Sequence, residues 1–148
     1  MIQDYNLIFG GAAKAITGTA GTRIPLGGDT GGIDLGAAGD NVGPGELELV
    51  IQVSTSVAAT GGAANVTFSL ETKSANSAWV ATAGTVLWKS AAIAKGTLVA
   101  GYTVCRIRVP KGMLRYLQVV ALPDTNDTTT GKVEAFLTPA SQYNDMSA

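Results

Sequence analysis

The stretch TLVAGYTVCRIRVPKGMLRYLQVV, from Thr97 to Val120, decides the fold class of this chain. Its segment CRIRV (Cys105–Val109) alternates apolar residues with arginines, which is the period of a half-buried β-strand. The corner PKG (110–112) follows, and the run Leu114–Leu122 is apolar on both faces. We therefore predict an outer strand, a turn and a more central strand.

The same alternation recurs in other parts of the chain. It predicts strands at 47–53, 66–71 and 132–137, with shorter candidates at Thr22–Leu26, Ala78–Ala81, Thr85–Lys89 and Thr97–Ala100. No amphipathic helix is indicated, because glycines interrupt the alanine-rich stretch near the N-terminus. Many short strands with Gly-rich connections predict one all-β domain over residues 1–148. Its fold is expected to be an antiparallel jelly-roll-like sandwich of about eight or nine short strands.

The connections and termini suggest where the chain meets other molecules. Gly27–Gly45 contains eight glycines in nineteen residues, and so long a Gly-rich loop is expected to be functional or ordered by a partner. We predict a second loop at Pro123–Gly131, an extended N-terminal arm at residues 1–21 and a flexible tail at Ser141–Ala148.

The charge and hydropathy of the chain argue against two classes of partner. Ten basic and eleven acidic residues give a net charge of −1, whereas general nucleic-acid binding needs a broad basic face. No apolar run approaches the length of a membrane span. The start of the chain, MIQDYNLIFGG, has no basic segment, so we expect no secretory signal and synthesis in a cytoplasm.

The residue types available for catalysis are few, and we expect no enzyme. The chain has no histidine, which removes imidazole-based nucleophile activation and His-containing zinc sites. Cys105 is the single cysteine, in phase with apolar neighbours, and is expected to be a buried hydrophobe. Glu46 and Glu48 could form a carboxylate pair, but their strand positions predict that both face solvent.

The acidic residues of the Gly-rich loop are weak metal candidates. Asp29, Asp34, Asp40 and Asn41 offer oxygen ligands, but their spacing does not match a calcium-binding loop. Asp and Asn next to Gly are explained equally well by turn formation. We therefore expect neither a metal nor a cofactor.

The arginines and the aromatic residues leave two binding hypotheses open. Arg106 and Arg108 share one face of their strand, and Arg115 opens the next. This arrangement is either a plain solvated face or a guanidinium cluster that grips a partner protein. The aromatic residues Trp79, Trp88, Tyr102 and Tyr116 could instead form a platform for sugar rings. Packing in the core or at an interface is the alternative role for each Trp.

The segment SAAIAKGTLVAGYTVCRIRVPKGMLRYLQVVAL (Ser90–Leu122) resembles tailed-phage capsid cement proteins related to that of a Bordetella phage. The shared pattern comprises S-A-A-I, L-V-A-G-Y and R-x-P-x-G-x-x-R-Y-L. Further similarity lies at 15–20, 33–36, 47–53 and 131–137, whereas the Gly-rich segment around 27–32 is longer here.

The resemblance implies a jelly-roll-like protein on the outer capsid surface of a virion, made in the host bacterial cytoplasm. Such a protein clamps neighbouring copies of an HK97-type major capsid protein and self-associates, as a dimer or alternatively a trimer. A carbohydrate-binding module on the virion surface is the alternative function. The residues expected to contact partners are Arg106, Arg108, Arg115, Asp4, Tyr5 and Asp34.

Overall fold

Regular structure in this protein is β throughout the residues that the computed structural model describes, which are 7–36 and 47–139. The ten strands are β1 (Lys14–Ala15), β2 (Ile24–Pro25), β3 (Ile33–Asp34), β4 (Leu47–Ala59), β5 (Asn65–Lys73), β6 (Thr85–Lys89), β7 (Ile93–Ala94), β8 (Thr103–Arg108), β9 (Tyr116–Pro123) and β10 (Thr128–Pro139). These ranges contain no α-helix. The all-β prediction is confirmed, although four strands have two residues and β4, β5 and β10 have nine or more.

The strands form two antiparallel sheets. Sheet A has the order β1-β10-β4-β8. Sheet B has the order β2-β9-β5-β6, with β3 also paired to β9 and β7 to β5. The consecutive strands β8, β9 and β10 therefore alternate between the sheets, which gives a jelly-roll-like sandwich. As predicted, β9 is a central strand.

The hydrophobic core lies between the inner faces of the two sheets. Side chains two residues apart point to the same face of a strand, so the alternation seen in the sequence places one apolar set from each strand here. Sheet A contributes Leu49, Ile51, Val53, Cys105, Val133 and Ala135; sheet B contributes Val66, Phe68, Leu70, Leu117, Val119 and Ala121. All of them are buried.

Two of the short strand predictions are wrong. Ala78–Ala81 is a turn, because Trp79 is fully buried and its backbone N–H donates to the carbonyl of Asp29 at 2.9 Å rather than to a neighbouring strand. Thr97–Ala100 is also irregular and leads into Gly101, whose φ of 89° favours glycine. The predicted loop at Pro123–Gly131 is shorter than expected, since β10 begins at Thr128.

The described part of the predicted N-terminal arm, residues 7–21, lies against sheet A. Phe9 is buried and its N–H donates to the carbonyl of Ala135 at 2.9 Å. β1 pairs with β10, and Ile16 is fully buried. This segment is thus part of the sandwich. Asp4, Tyr5 and the predicted tail at 141–148 lie outside the described residues.

The Gly-rich loop is described from residue 27 to residue 36, and this part is ordered by its own chain. β3 pairs with β9, and the N–H of Gly31 donates to the carbonyl of Gly28 at 3.2 Å. Residues 27–36 therefore do not need a partner for their order, and the functional role expected as the other alternative for this loop stays a prediction. Residues 37–45, with Asp40 and Asn41, lie outside the described ranges.

Candidate functional site

Arg106 and Arg108 lie on the outward face of β8, at the edge of sheet A. Both residues are exposed, whereas Cys105, on the inward face of the same strand, is buried in the core. Register pairs Arg108 with Glu48 and Arg106 with Val50. The Nε of Arg106 donates to the Oε2 of Glu48 at 3.3 Å. Glu48 therefore serves as a cross-strand partner of an arginine, which explains its outward position without a catalytic role.

Arg115 forms a bidentate ion pair with Asp34. Its Nε and one terminal nitrogen donate to the two carboxylate oxygens of Asp34 at 2.9 and 3.0 Å. The hydrogen bond from Arg115, together with that from the Gly36 N–H, lowers the pKa of Asp34, and the same pairing raises the pKa of Arg115. Both side chains remain more than 40% exposed, so this pair is a solvent-facing feature.

The three arginines do not lie on one pair of neighbouring strands. β8 pairs with β4 in sheet A, whereas Arg115 precedes β9 in sheet B. The chain crosses from one sheet to the other at the PKG corner (110–112), and for this reason β8 and β9 are not hydrogen-bonded to each other. The single cluster suggested by the sequence is therefore divided into an outward pair on β8 and a separate Arg115–Asp34 pair.

The outer face of sheet B carries a buried set of polar side chains that the sequence does not reveal. We call Ser69, Glu71 and Lys73 of β5 with Gln118 of β9 the polar layer. Each is at most 8% exposed, although all four point away from the core between the sheets. They are covered by residues 23–32, which include β2, and by the loop 74–84, and both segments form hydrogen bonds with members of the layer. In the sequence the three β5 residues show only the ordinary outward half of an alternating strand.

Glu71 is the centre of the polar layer. Its Oε2 accepts hydrogen bonds from Arg23 at 2.6 Å and from the Gly84 N–H at 2.9 Å, and its Oε1 accepts one from the Ser69 hydroxyl at 2.9 Å. Burial alone would raise the pKa of Glu71, but these hydrogen bonds and the Arg23 charge outweigh it, so the pKa is lowered. Glu71 thus joins three segments of the chain as a buried anion.

Lys73 holds the start of the 74–84 loop. Its ammonium donates to the Ala78 carbonyl at 2.8 Å and, over longer distances, to the carbonyl and hydroxyl of Ser77. It also lies 4.4 Å from the centroid of the Trp79 ring, a cation–π geometry. Burial and the nearby Arg23 charge lower the pKa of Lys73. These contacts use the three ammonium hydrogens within the chain.

Gln118 holds the Gly-rich loop. Its Oε1 accepts from the Gly27 N–H at 2.9 Å, and its Nε2 donates to the carbonyls of Gly28, at 3.1 Å, and of Gly31. Asp29 in the same loop bridges to the neighbouring loop, because its carboxylate accepts from the Val80 N–H at 2.7 Å. Gln118 is a polar residue inside the apolar run Leu114–Leu122, and this was the sequence signal that could have identified its contacts with the loop.

A glycine-lined cleft lies between the N-terminal segment and the Gly-rich loop. Its volume is about 520 Å³, and its lining includes Gly10, Gly11, Lys14, Gly32 and Asp34. A Cβ at Gly10 would lie 2.4 Å from the Leu26 carbonyl, so only glycine allows this close approach of the two backbones. Among the described residues that line this cleft, the charged ones are Lys14 and the paired Asp34.

The other residues considered for metal binding or catalysis lie apart from one another. Asp29 and Asp34 accept separate hydrogen bonds, and residues 7–36 and 47–139 hold no group of three potential metal-ligating side chains. Cys105 is buried as predicted, which raises the pKa of its thiol to about 11. Glu46 lies outside the described residues.

The aromatic platform proposed for sugar binding does not form. Trp79 is a residue of the 74–84 loop and is fully buried, and a buried ring cannot stack on a sugar. Trp88 on sheet B and Tyr102 beside sheet A are partly buried against the core. Trp88 thus packs partly against the core as predicted, whereas Trp79 is buried outside the core cluster.

These features define a small two-sheet β-sandwich protein in which buried ionisable groups fix surface loops. No helix among the described residues is long and apolar enough for a membrane span. The chain belongs to the Bbp16 family, whose model matches residues 11–137, most of its length. Bbp16 is a family of Bordetella phage proteins, which makes this a phage-type protein. No curated protein matches the chain.

Proposed function

We propose that this protein is a structural component of a phage virion that binds the outer surface of the capsid. In this role it clamps neighbouring subunits of an HK97-type major capsid protein and stabilises the DNA-filled head. The observation that carries the proposal is membership of a phage protein family over residues 11–137. The resemblance of Ser90–Leu122 to capsid cement proteins supports a position on the capsid surface.

The outward face of β8 supports a protein partner. Arg106 and Arg108 are both exposed on an edge strand, where a neighbouring chain can reach them. Guanidinium groups suit such contacts because they bind carboxylates and backbone carbonyls through several N–H donors in a fixed plane. We assign these two residues to the capsid contact. Arg115 and Asp34 contribute as a preformed pair at the start of β9.

The ordered surface loops support the same role energetically. Binding costs free energy when a flexible segment becomes ordered, so loops that are already held in place lose less on association. Gln118 fixes residues 27–31 and Lys73 fixes the start of 74–84 in the isolated chain. A clamp that touches several subunits can then combine individually modest contacts through effective concentration.

Self-association would multiply these contacts. We propose a dimer, with a trimer as the alternative, located on the outer surface of the virion. Sedimentation equilibrium of the purified protein distinguishes these states by mass. A strictly monomeric protein over the micromolar range would contradict this part of the proposal while leaving capsid binding open to its own test.

Capsid binding is tested by adding the purified protein to capsids that lack it and sedimenting the particles. We expect stoichiometric co-sedimentation and a higher temperature of capsid disruption. Arg108→Ala should weaken attachment by about 10-fold or more, which corresponds to the loss of a desolvated charge contact. Lys89→Ala, which removes an exposed cation from sheet B, is the matched control. Absence of the protein from the sedimented capsids would overturn the proposal.

A further inference from the structure

The loop formed by residues 74–84 is attached to the outer face of sheet B at a small number of polar points. Glu71 accepts the Gly84 N–H at one end of the loop, and Lys73 binds Ser77 and Ala78 near the other. Between them Arg23, itself held by Glu71, donates to the Trp79 carbonyl at 3.0 Å, and Asp29 accepts the backbone N–H groups of Trp79 and Val80. Between these ends, the buried Trp79 ring packs beneath the Lys73 ammonium. The loop's position therefore depends on a few charged groups and one aromatic ring.

The charges around Glu71 are nearly balanced. Arg23 binds Glu71 directly, and Lys73 lies two residues along the same strand face. Asp29, on the neighbouring loop, is the second carboxylate in this group and attracts Lys73. The facing strands add Gln118 of β9, which is uncharged, and Lys89 of β6, which pairs with Ser69 and is exposed. Two inner cations are thus matched by Glu71 and Asp29.

We propose that Glu71 is an acid-sensitive latch: its protonation releases the 74–84 loop from sheet B while the two-sheet sandwich stays folded. A neutral Glu71 no longer supplies the buried negative charge that faces Arg23 and Lys73. Two cations in a poorly solvated layer repel each other more strongly than they would in water. Movement of the loop lets both cations reach solvent, which relieves that repulsion.

The sandwich does not share this sensitivity because its core lies on the opposite face of sheet B. That core consists of apolar side chains from both sheets, and among the described residues buried in it the ionisable one is Cys105. The cysteine has a pKa of about 11, so it remains neutral in acid. Trp79 and Glu71 are both outside the core cluster. Loop release and global unfolding are therefore separate events.

The direction of the pH effect follows from the Glu71 contacts. Burial, the largest single influence, favours the neutral acid, but the hydrogen bonds and the Arg23 charge together favour the carboxylate and keep its folded pKa below the ordinary 4.5. A carboxylate with a lowered folded pKa stabilises the closed loop above its ordinary pKa. This stabilisation is lost as the pH falls through the lowered value, so the latch opens in acid and is closed at neutral pH.

The test follows the exposure of Trp79 in a Trp88→Phe variant, which leaves one tryptophan. Acrylamide quenching of its fluorescence is measured from pH 7 to pH 2.5, alongside far-UV circular dichroism as a measure of sheet content. We expect quenching to be weak at pH 7 and to increase several-fold below pH 4.5, before the dichroism signal changes. A single transition, with both signals changing together, would overturn the proposal.

Variants that remove one carboxylate charge show which group is responsible for the acid step in quenching. Adding Glu71→Gln to the Trp88→Phe background should raise quenching at pH 7 and remove the acid step. Glu134→Gln, in a carboxylate on β10 of sheet A, should leave the step in place. A pH step that persists in Glu71→Gln with its original midpoint would assign the titration to another group and refute the latch. If Glu71→Gln does not fold, the Trp88→Phe variant alone still tests the proposal, because quenching must increase before the dichroism signal changes.

Discussion

Replacing Gln118 by leucine should destabilise the protein without disturbing its core. The side chain is fully buried and uses its amide for three hydrogen bonds to the Gly-rich loop. Leucine has a similar volume but leaves one N–H and two carbonyls without these partners. Gly27, Gly28 and Gly31 are only half-buried, so water replaces part of what is lost.

The magnitude follows from these contacts. A typical hydrogen bond contributes about 0.5–1.5 kcal/mol net, so losing three costs about 2–4 kcal/mol. For a chain of this size, each kcal/mol lowers the melting temperature by roughly 2–4 °C, which gives a decrease of about 5–15 °C. Gln52→Leu is the matched control, because Gln52 is an exposed residue of β4 and its replacement should have little effect.

Gln118→Glu separates hydrogen bonding from packing. The introduced carboxyl keeps the acceptor for Gly27 but directs an oxygen at the carbonyls of Gly28 and Gly31. The protonated acid can donate one hydrogen bond, so the folded state raises the pKa of the introduced group. Such a group stabilises the fold at low pH and loses this effect as the pH rises through its folded pKa. The deficit relative to wild type should thus be larger at pH 8 than at pH 5.

Thermal unfolding followed by circular dichroism measures all three variants. Hydrogen exchange at Gly27, Gly28 and Gly31 adds a local readout, which should show faster exchange in Gln118→Leu. If Gln118→Leu melts within 2 °C of wild type and its loop exchanges at the wild-type rate, then Gln118 does not order the loop and the reasoning is wrong.

Three further predictions follow from other sites. Gly131→Ala should cost about 1–3 kcal/mol, because Gly131 has a φ of 134° and an added Cβ would lie 2.9 Å from a Val57 methyl; thermal melts would show it, with Gly62→Ala as the unstrained control. Cys105 should react with a thiol reagent very slowly at pH 8 and rapidly in urea, since a pKa of about 11 leaves little thiolate; equal rates would contradict its burial. Asp34→Asn should barely change the melting temperature, because its ion pair with Arg115 is exposed, and a large decrease would show that the pair is structural.

The sandwich could be predicted from the sequence because apolar residues recur at every second position of the strands that form its core. β4, β8 and β10 follow directly from alternation between apolar and polar residues. The two-residue strands β1, β3 and β7 could not be found in this way, since so short a segment has no period. Their conformation is fixed by the longer strands beside them.

The polar layer was hidden for a related reason. Alternation shows that Glu71 and Lys73 point away from the core, but it does not show whether water or another part of the chain meets them. The partners of Glu71 and Gln118 are distant in sequence: Arg23 is 48 residues from Glu71, and Gly27 is 91 residues from Gln118. Only the folded topology brings these groups together, and the same holds for the division of the arginines between two sheets.

The energetics of this layer connect the fold to the proposed role. A buried ion pair contributes little net stability compared with apolar side chains of the same size, because desolvating the two charges offsets most of their attraction. Arg23 and Glu71 are thus a costly way to stabilise a fold that already has an apolar core. Hydrogen bonds are directional, however, and they fix the positions of the two loops more narrowly than apolar packing would. Fixed loops matter most to a protein that must fit the surface of another. The polar layer is therefore better explained by the loop positions that it maintains than by the stability that it adds to the fold.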